Sequence, residues 1–208
     1  MVQKMIVKVC GITNPEDALL CADAGADILG FIFYEKSKRY ISPEKAAEIV
    51  KRLPATTRKA GVFVNCNAEI INETASIAGI DTVQLHGDEQ PSLLERIKVN
   101  KIKAFRVREG FDFDMVRDYE PAIPLFDSFS EREYGGTGRK FNWGIIPREF
   151  SGKYFLSGGI SIDNIEEAVN ELEPFAVDLS SSLELSPGKK DPRQVNDFFE
   201  LLYRKNLR

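Results

Sequence analysis

The chain has 208 residues and a formal net charge of -4, a length sufficient for one sizeable hydrophobic core and a charge without the basic excess that marks nucleic-acid binding. Apolar residues make up 43% and charged residues 29%, the mixture of a soluble globular protein, and no low-complexity segment interrupts it. No apolar run approaches the ~20 residues of a membrane span, and MVQKMIVKVCG turns into a strand-and-turn pattern too early for a signal peptide. The expectation is therefore one cytoplasmic domain over residues 1–208, with a small-molecule partner, no nucleic acid and no membrane. Cys10, Cys21 and Cys66 have neither the pairing nor the spacing of a disulfide framework or a zinc site, so they are expected to be reduced and to hold no metal.

Short apolar runs alternate with helical patterns from the first residues onward. IVKVC (6–10) is followed by a helical pattern over 14–25, DILGFIF (27–33) by 42–53, KAGVFV (59–64) by 67–78, and TVQLH (82–86) by 89–97. KIKAFRV (101–107) is then followed by 112–119, AIPLFD (122–127) by a less regular segment near 142–149, KYFLS (153–157) by 163–172, and FAVDL (175–179) by 191–204. Parallel strands need crossover connections, and helices supply them. Eight strand–helix repeats are the number that closes a barrel, so the expected fold class is α/β, a single (β/α)8 TIM barrel of compact size. An open doubly wound sheet is the alternative, but no G-x-G-x-x-G opens the first helix. Two helix starts carry a mechanism. Asn14-Pro15-Glu16-Asp17 and Ser42-Pro43-Glu44 each offer a capping side chain, a proline at the first helical position and acid against the positive helix end.

These boundaries put Cys10, Arg39, His86 and Asp127 at strand C-termini or in the loops that follow, the face on which barrel active sites are built. Cys10 reads in two ways that position alone does not separate. It is a packed small hydrophobe, or a thiol aimed into the mouth by the turn at Gly11. Cys21 and Cys66 read as structural. Asp127 ends an apolar strand, so its carboxylate must find partners or stand at the mouth, where a carboxyl suits a general acid and a thiolate suits a base. Arg39, in the basic run Lys36-Ser37-Lys38-Arg39, suits bidentate contact with a substrate carboxylate. His86, the only histidine, suits loop positioning as well as binding. The stretches YGGTGR (134–139), SGGI (157–160) and DLSSSLE (178–184) offer glycine and serine donors to a phosphate, two of them in the loops after strands seven and eight where such sites recur. Pro187-Gly188-Lys189-Lys190 reads as a solvent-facing turn.

KVCGIT, GFIFYEKSKRY, GVFVN, VQLHGDE, LFDS, YGGTGRKFNW, LSGGI with Asn164, and VDLSSSLELSPGKKD fall in the order and spacing of the phosphoribosylanthranilate isomerase family, which the chain resembles over nearly its whole length. That resemblance implies a cofactor-independent Amadori rearrangement of N-(5-phosphoribosyl)anthranilate to 1-(2-carboxyphenylamino)-1-deoxyribulose 5-phosphate in tryptophan biosynthesis. It implies Cys10 as the general base at ribose C2, Asp127 as the general acid at the furanose ring oxygen, and Arg39 at the anthranilate moiety. His86 and Asp178 become substrate-binding candidates, and Gly135, Gly136, Gly138, Gly158, Gly159, Ser180 and Ser181 phosphate binders. A homodimer is compatible with the sequence, which does not give the oligomeric state. One position departs from the family: Ser182 stands where glycine is common. A histidine-pathway sugar-phosphate isomerase would be expected to carry aspartate where this chain has Cys10, and a non-catalytic phosphate-binding barrel would have no need of both Cys10 and Asp127.

Overall fold

Apolar strands interleaved with amphipathic helices have one economical arrangement, and the chain adopts it. The computed structural model describes residues 5–128 and 143–207. Eight parallel strands close in sequence order: β1 (Ile6–Cys10), β2 (Ile28–Ile32), β3 (Arg58–Phe63), β4 (Thr82–Leu85), β5 (Asn100–Val107), β6 (Ile123–Ser128), β7 (Phe155–Leu156) and β8 (Ala176–Leu179). β8 returns to β1 in the register Lys8↔Asp178, and β1 meets β2 in the register Cys10↔Gly30.

Successive residues of a strand face opposite sides, and the two sides have different chemistry. Val7, Val9, Leu29, Phe31, Val177 and Leu179 face outward into a core shared with the surrounding helices, whereas Ile28, Ala60, Leu125, Phe155 and Ala176 fill the barrel floor. Continuing each inward row toward the strand C-termini leads from Ile6 to Lys8 and Cys10, from Ile123 to Leu125 and Asp127, and from Ala176 to Asp178 and Ser180. The interior is apolar at its base and ionisable at its mouth.

The α-helices are α1 (Pro15–Ala24), α2 (Pro43–Val50), α3 (Ala68–Ala78), α4 (Ile165–Leu172) and α5 (Pro192–Arg204). The expected caps form: Asn14 accepts from the Asp17 N–H and Ser42 from the Lys45 N–H. The helical patterns at 89–97 and 112–119 are corrected by the structure, and the less regular segment near 142–149 is resolved in its described residues. They are short 3-10 segments at Pro91–Arg96, Asp114–Tyr119, Trp143–Ile145 and Arg148–Phe150. Neither Gln90 nor Phe113 supplies a side-chain cap, and six-residue segments cannot offset the cost of α-helix nucleation. A small antiparallel hairpin, β9 (Glu184–Ser186) and β10 (Lys189–Lys190), inserts between β8 and α5.

Candidate active site

The inward rows and the loops above them enclose a cavity of about 400 Å³. Cys10, Arg39, His86, Asp127, Gly158, Gly159, Asp178, Ser180 and Ser181 all line it, so the candidates from separate strands come together at the barrel mouth. Gly135, Gly136 and Gly138 lie outside the described residues. Cys66 is half-buried and donates its thiol to the Val64 carbonyl at 3.6 Å, while Cys21 is buried in α1 against the core. Neither cysteine lines the cavity.

Two glycines aim Cys10. Gly11 turns the chain with φ +83°, and a Cβ there would come within 2.7 Å of Arg39 Cδ. Gly30, alongside on β2, leaves room for the thiol itself: a Cβ at that position would sit 2.7 Å from Cys10 Sγ. Asp127 is buried on β6, with β7 and β8 between it and β1 on one side of the ring and β2 to β5 on the other. The thiol and the carboxylate therefore approach the cavity from opposed walls.

His86 follows β4 and holds a fixed place beside Asp127. The Gln84 amide meets Nδ1 at 2.8 Å, and with the amide donating, the ring proton lies on Nε2, which faces Asp127 Oδ2 at 3.2 Å. Arg39 extends from the β2–α2 loop and is gripped by Glu184. Its Nε donates to both carboxylate oxygens at 3.0 Å and its Nη2 to Oε2 at 2.7 Å. Asn164 ties down the loop after β7, donating to the Gly159 carbonyl at 2.8 Å and accepting from the Ser161 N–H at 3.0 Å. After β8, the buried hydroxyl oxygens of Ser180 and Ser182 have no hydrogen-bond partner among the described residues. Ser182 has no positive φ, so the backbone tolerates a side chain at the position where the sequence resemblance led to an expectation of glycine.

Three contributors escaped the sequence reading. Lys8, two residues before Cys10 on the same inward row, is fully buried and donates to both oxygens of Asp178 at 2.9 Å. Burial works against its charge, but Asp178 and then Cys10 outweigh that and raise the Lys8 pKa. Burial also pushes the Cys10 thiol up, with Lys8 pulling against it. Lys190 overturns the expectation of a solvent-facing turn. It is 0% exposed, and its ammonium donates to the Cys10 carbonyl at 2.6 Å, to Glu184 at 3.0 Å and to the Ser180 carbonyl at 3.3 Å. The β9–β10 hairpin carries both Glu184 and Lys190, and it fastens the end of β1 to the loop after β8. A lysine in a Pro-Gly turn has no local pattern that reports such burial.

Among the described residues no group of three or more His, Cys, Asp or Glu side chains is placed to hold a metal ion, and no helix is long and apolar enough to cross a membrane. The sequence profile of the N-(5'-phosphoribosyl)anthranilate isomerase family matches residues 7–201. The isomerase of that name from Citrifermentans bemidjiense is 46% identical over 190 residues, 91% of this chain and 92% of the relative. Among solved structures, a phosphoribosyl anthranilate isomerase in complex with reduced 1-(o-carboxyphenylamino)-1-deoxyribulose 5-phosphate superposes with a TM-score of 0.86 at 39% identity, covering 96% of this chain and 99% of that one. A monomer generated from the dimeric enzyme of Thermotoga maritima superposes with a TM-score of 0.85 at 38% identity, covering 96% and 98%.

Proposed function

The chain belongs to the N-(5'-phosphoribosyl)anthranilate isomerase family, and from that premise we propose that its cavity performs the rearrangement with Cys10 as proton acceptor and Asp127 as proton donor. The observation that carries this reading is the pair itself: a thiol on β1 and a carboxyl on β6 facing one cavity from opposed walls. Asp127 protonates the furanose ring oxygen, the bond from that oxygen to C1 breaks, and the nitrogen lone pair forms the C1=N bond of a Schiff base. The Cys10 thiolate then removes the proton from C2, whose electrons shift to neutralise the iminium nitrogen. The resulting enaminol ketonises, with a proton gained at C1 and one lost from the C2 hydroxyl. Substrate and product are isomers, so atoms and electrons balance without a cofactor.

The remaining residues bind and orient. Arg39 suits the anthranilate carboxylate by bidentate geometry, and His86, 3.2 Å from Asp127 Oδ2, orients the Asp127 carboxyl group. Gly158 and Gly159 offer backbone N–H groups, and Ser180 and Ser181 add hydroxyl and backbone donors, to the phosphate. The Ser180 and Ser182 hydroxyls, buried without partners, support a polar ligand at that end of the cavity. A cytoplasmic location and a homodimeric state belong to the same proposal.

The test is a fluorescence assay of the purified protein with freshly generated N-(5-phosphoribosyl)anthranilate. Turnover without added metal or cofactor is expected. A rate no faster than the uncatalysed reaction would leave a phosphate-binding barrel without catalysis and would overturn the proposal.

A further inference from the structure

A thiol in an apolar wall is a poor base at neutral pH, because burial disfavours the thiolate. The interior row of β1 contains a remedy. Lys8 and Cys10 point the same way from positions two apart, and the lysine is in register with Asp178 on the neighbouring strand. We propose that Lys8 is the positioning residue that draws Cys10 toward its proton-accepting form against the effect of burial, with Asp178 keeping the Lys8 ammonium charged and aimed.

The geometry supports each part. The ammonium has three protons, and two go to Asp178 Oδ1 and Oδ2 at 2.9 Å each. The third proton is free of Asp178, and Cys10 stands two residues on along the same inward row, so the ammonium lies where its charge favours a negative sulfur. Arg39, Lys36 and Lys38 line the same cavity from the loop after β2, and Arg39 is bound by Glu184; the other charged groups around the sulfur come from the strands and their ends. Lys8 comes from β1, Asp178 from β8 and Lys190 from β10, with Asp127 on β6 and His86 after β4 across the cavity. Asp178 opposes the thiolate, but without it Lys8 would be a lone ammonium with no solvent access, and such a group gives up its proton. Lys190 also favours the thiolate, but its hydrogen bonds are spent on the Cys10 and Ser180 carbonyls and on Glu184. Stability does not call for the Lys8–Asp178 pair, since a buried ion pair is commonly replaceable by apolar residues without loss.

The inference rests on Cys10 being the proton acceptor, but its test does not depend on turnover. Alkylation of Cys10 by iodoacetamide, followed on the Cys10 peptide by mass spectrometry at pH 8.5, reads the thiolate directly. An opposite charge at contact range changes an ionisation by about ten- to a thousandfold. A hundredfold loss of thiolate, partly recovered by the greater nucleophilicity of a more basic sulfur, leaves alkylation about tenfold slower. Lys8→Met is expected to show that slowing, and so is Lys8→Met with Asp178→Asn, which removes both charges together. Wild-type alkylation in either variant overturns the inference; in the double variant it would trace the loss to an unpaired Asp178.

A measurement on the unaltered protein decides the matter if the variants fold poorly. The 13Cε resonance of Lys8 should titrate with the midpoint of Cys10 alkylation, and a resonance indifferent to that midpoint overturns the inference. Failure of the catalytic reading looks different: Cys10→Ala would keep normal isomerisation while the Lys8 coupling stood.

Discussion

Glu184 holds the Arg39 guanidinium by its Nε and Nη2 edge, accepting at 3.0 Å and 2.7 Å, while the same carboxylate takes a 3.0 Å hydrogen bond from buried Lys190. A flexible side chain at the cavity rim is thereby presented in one orientation. Two effects compete when the carboxylate is removed. Less neutralisation of Arg39 would strengthen its pull on a substrate anion, and loss of the grip would cost the ordering of a long side chain.

The second effect should win, because the bidentate grip fixes the plane of the guanidinium and leaves Lys190 compensated. Glu184→Gln should weaken binding of a reduced product analogue about tenfold, the lower end of the ~1.5–3 kcal/mol that a charge-assisted hydrogen bond contributes. KM should rise more than kcat falls. Isothermal titration checks this, and equal or tighter binding would show that Arg39 needs no holding.

Cys10→Ala and Asp127→Asn should each lower kcat by about 10²–10⁴, the usual contribution of a positioned acid or base. Both side chains are small and sit at the mouth, so folding and binding of the product analogue should persist. Steady-state kinetics beside calorimetric titration separate the two quantities. Near-normal kcat in both variants would remove the proposed acid and base.

The parts of this architecture that were legible in the sequence are those carried by local pattern. Eight apolar runs marked the barrel strands, and strand ends followed by Gly11 or by capped helices marked the face where Cys10, Arg39, His86 and Asp127 stand, while Asp178 came only with the family resemblance. What stayed hidden depends on closure. Lys8 looks like one polar residue in IVKVC until β8 pairs with β1 and brings Asp178, 170 positions away, into register. Lys190 and Glu184 are the same kind of case, since strands of two and three residues leave no periodic trace. The 3-10 segments were overread as α-helices because apolar spacing is similar over six residues.

Gly30 has no positive φ, and its significance is clearance. Gly30→Ala would place a methyl 2.7 Å from Cys10 Sγ and 3.1 Å from Cys10 Cα. The sulfur can rotate away but the Cα cannot, so both the thiol and the strand must shift. Overpacking of this kind costs about 1–3 kcal/mol, and a displacement on the order of 1 Å at a reacting group costs up to about a hundredfold in rate. The variant should fold with a lowered Tm and lose at least about tenfold in kcat, with affinity for the product analogue kept within a few-fold. Unchanged kcat would mean that the thiol's exact placement is unimportant.

Cys21 supplies a pH dependence that belongs to the scaffold. Burial against the core pushes its thiol up to about 12, above the ordinary value of 9.0, with Lys190 pulling it down and Asp17 adding to the rise. An acid whose pKa is higher in the folded state keeps its proton there after the unfolded chain has lost it. The folded state then binds more protons than the unfolded state between pH 9 and about 12, and stability falls as pH rises through that window. Below pH 9 both states carry the proton and nothing is lost. At ~1.4 kcal/mol per pH unit, the loss attributable to Cys21 should reach about 2 kcal/mol by pH 10.5. Cys21→Ala should abolish that part of the alkaline decline at the cost of a small cavity at all pH values. Urea unfolding at pH 8 and pH 10.5 gives the comparison, and an equal decline in the two proteins would assign the alkaline sensitivity to groups other than Cys21.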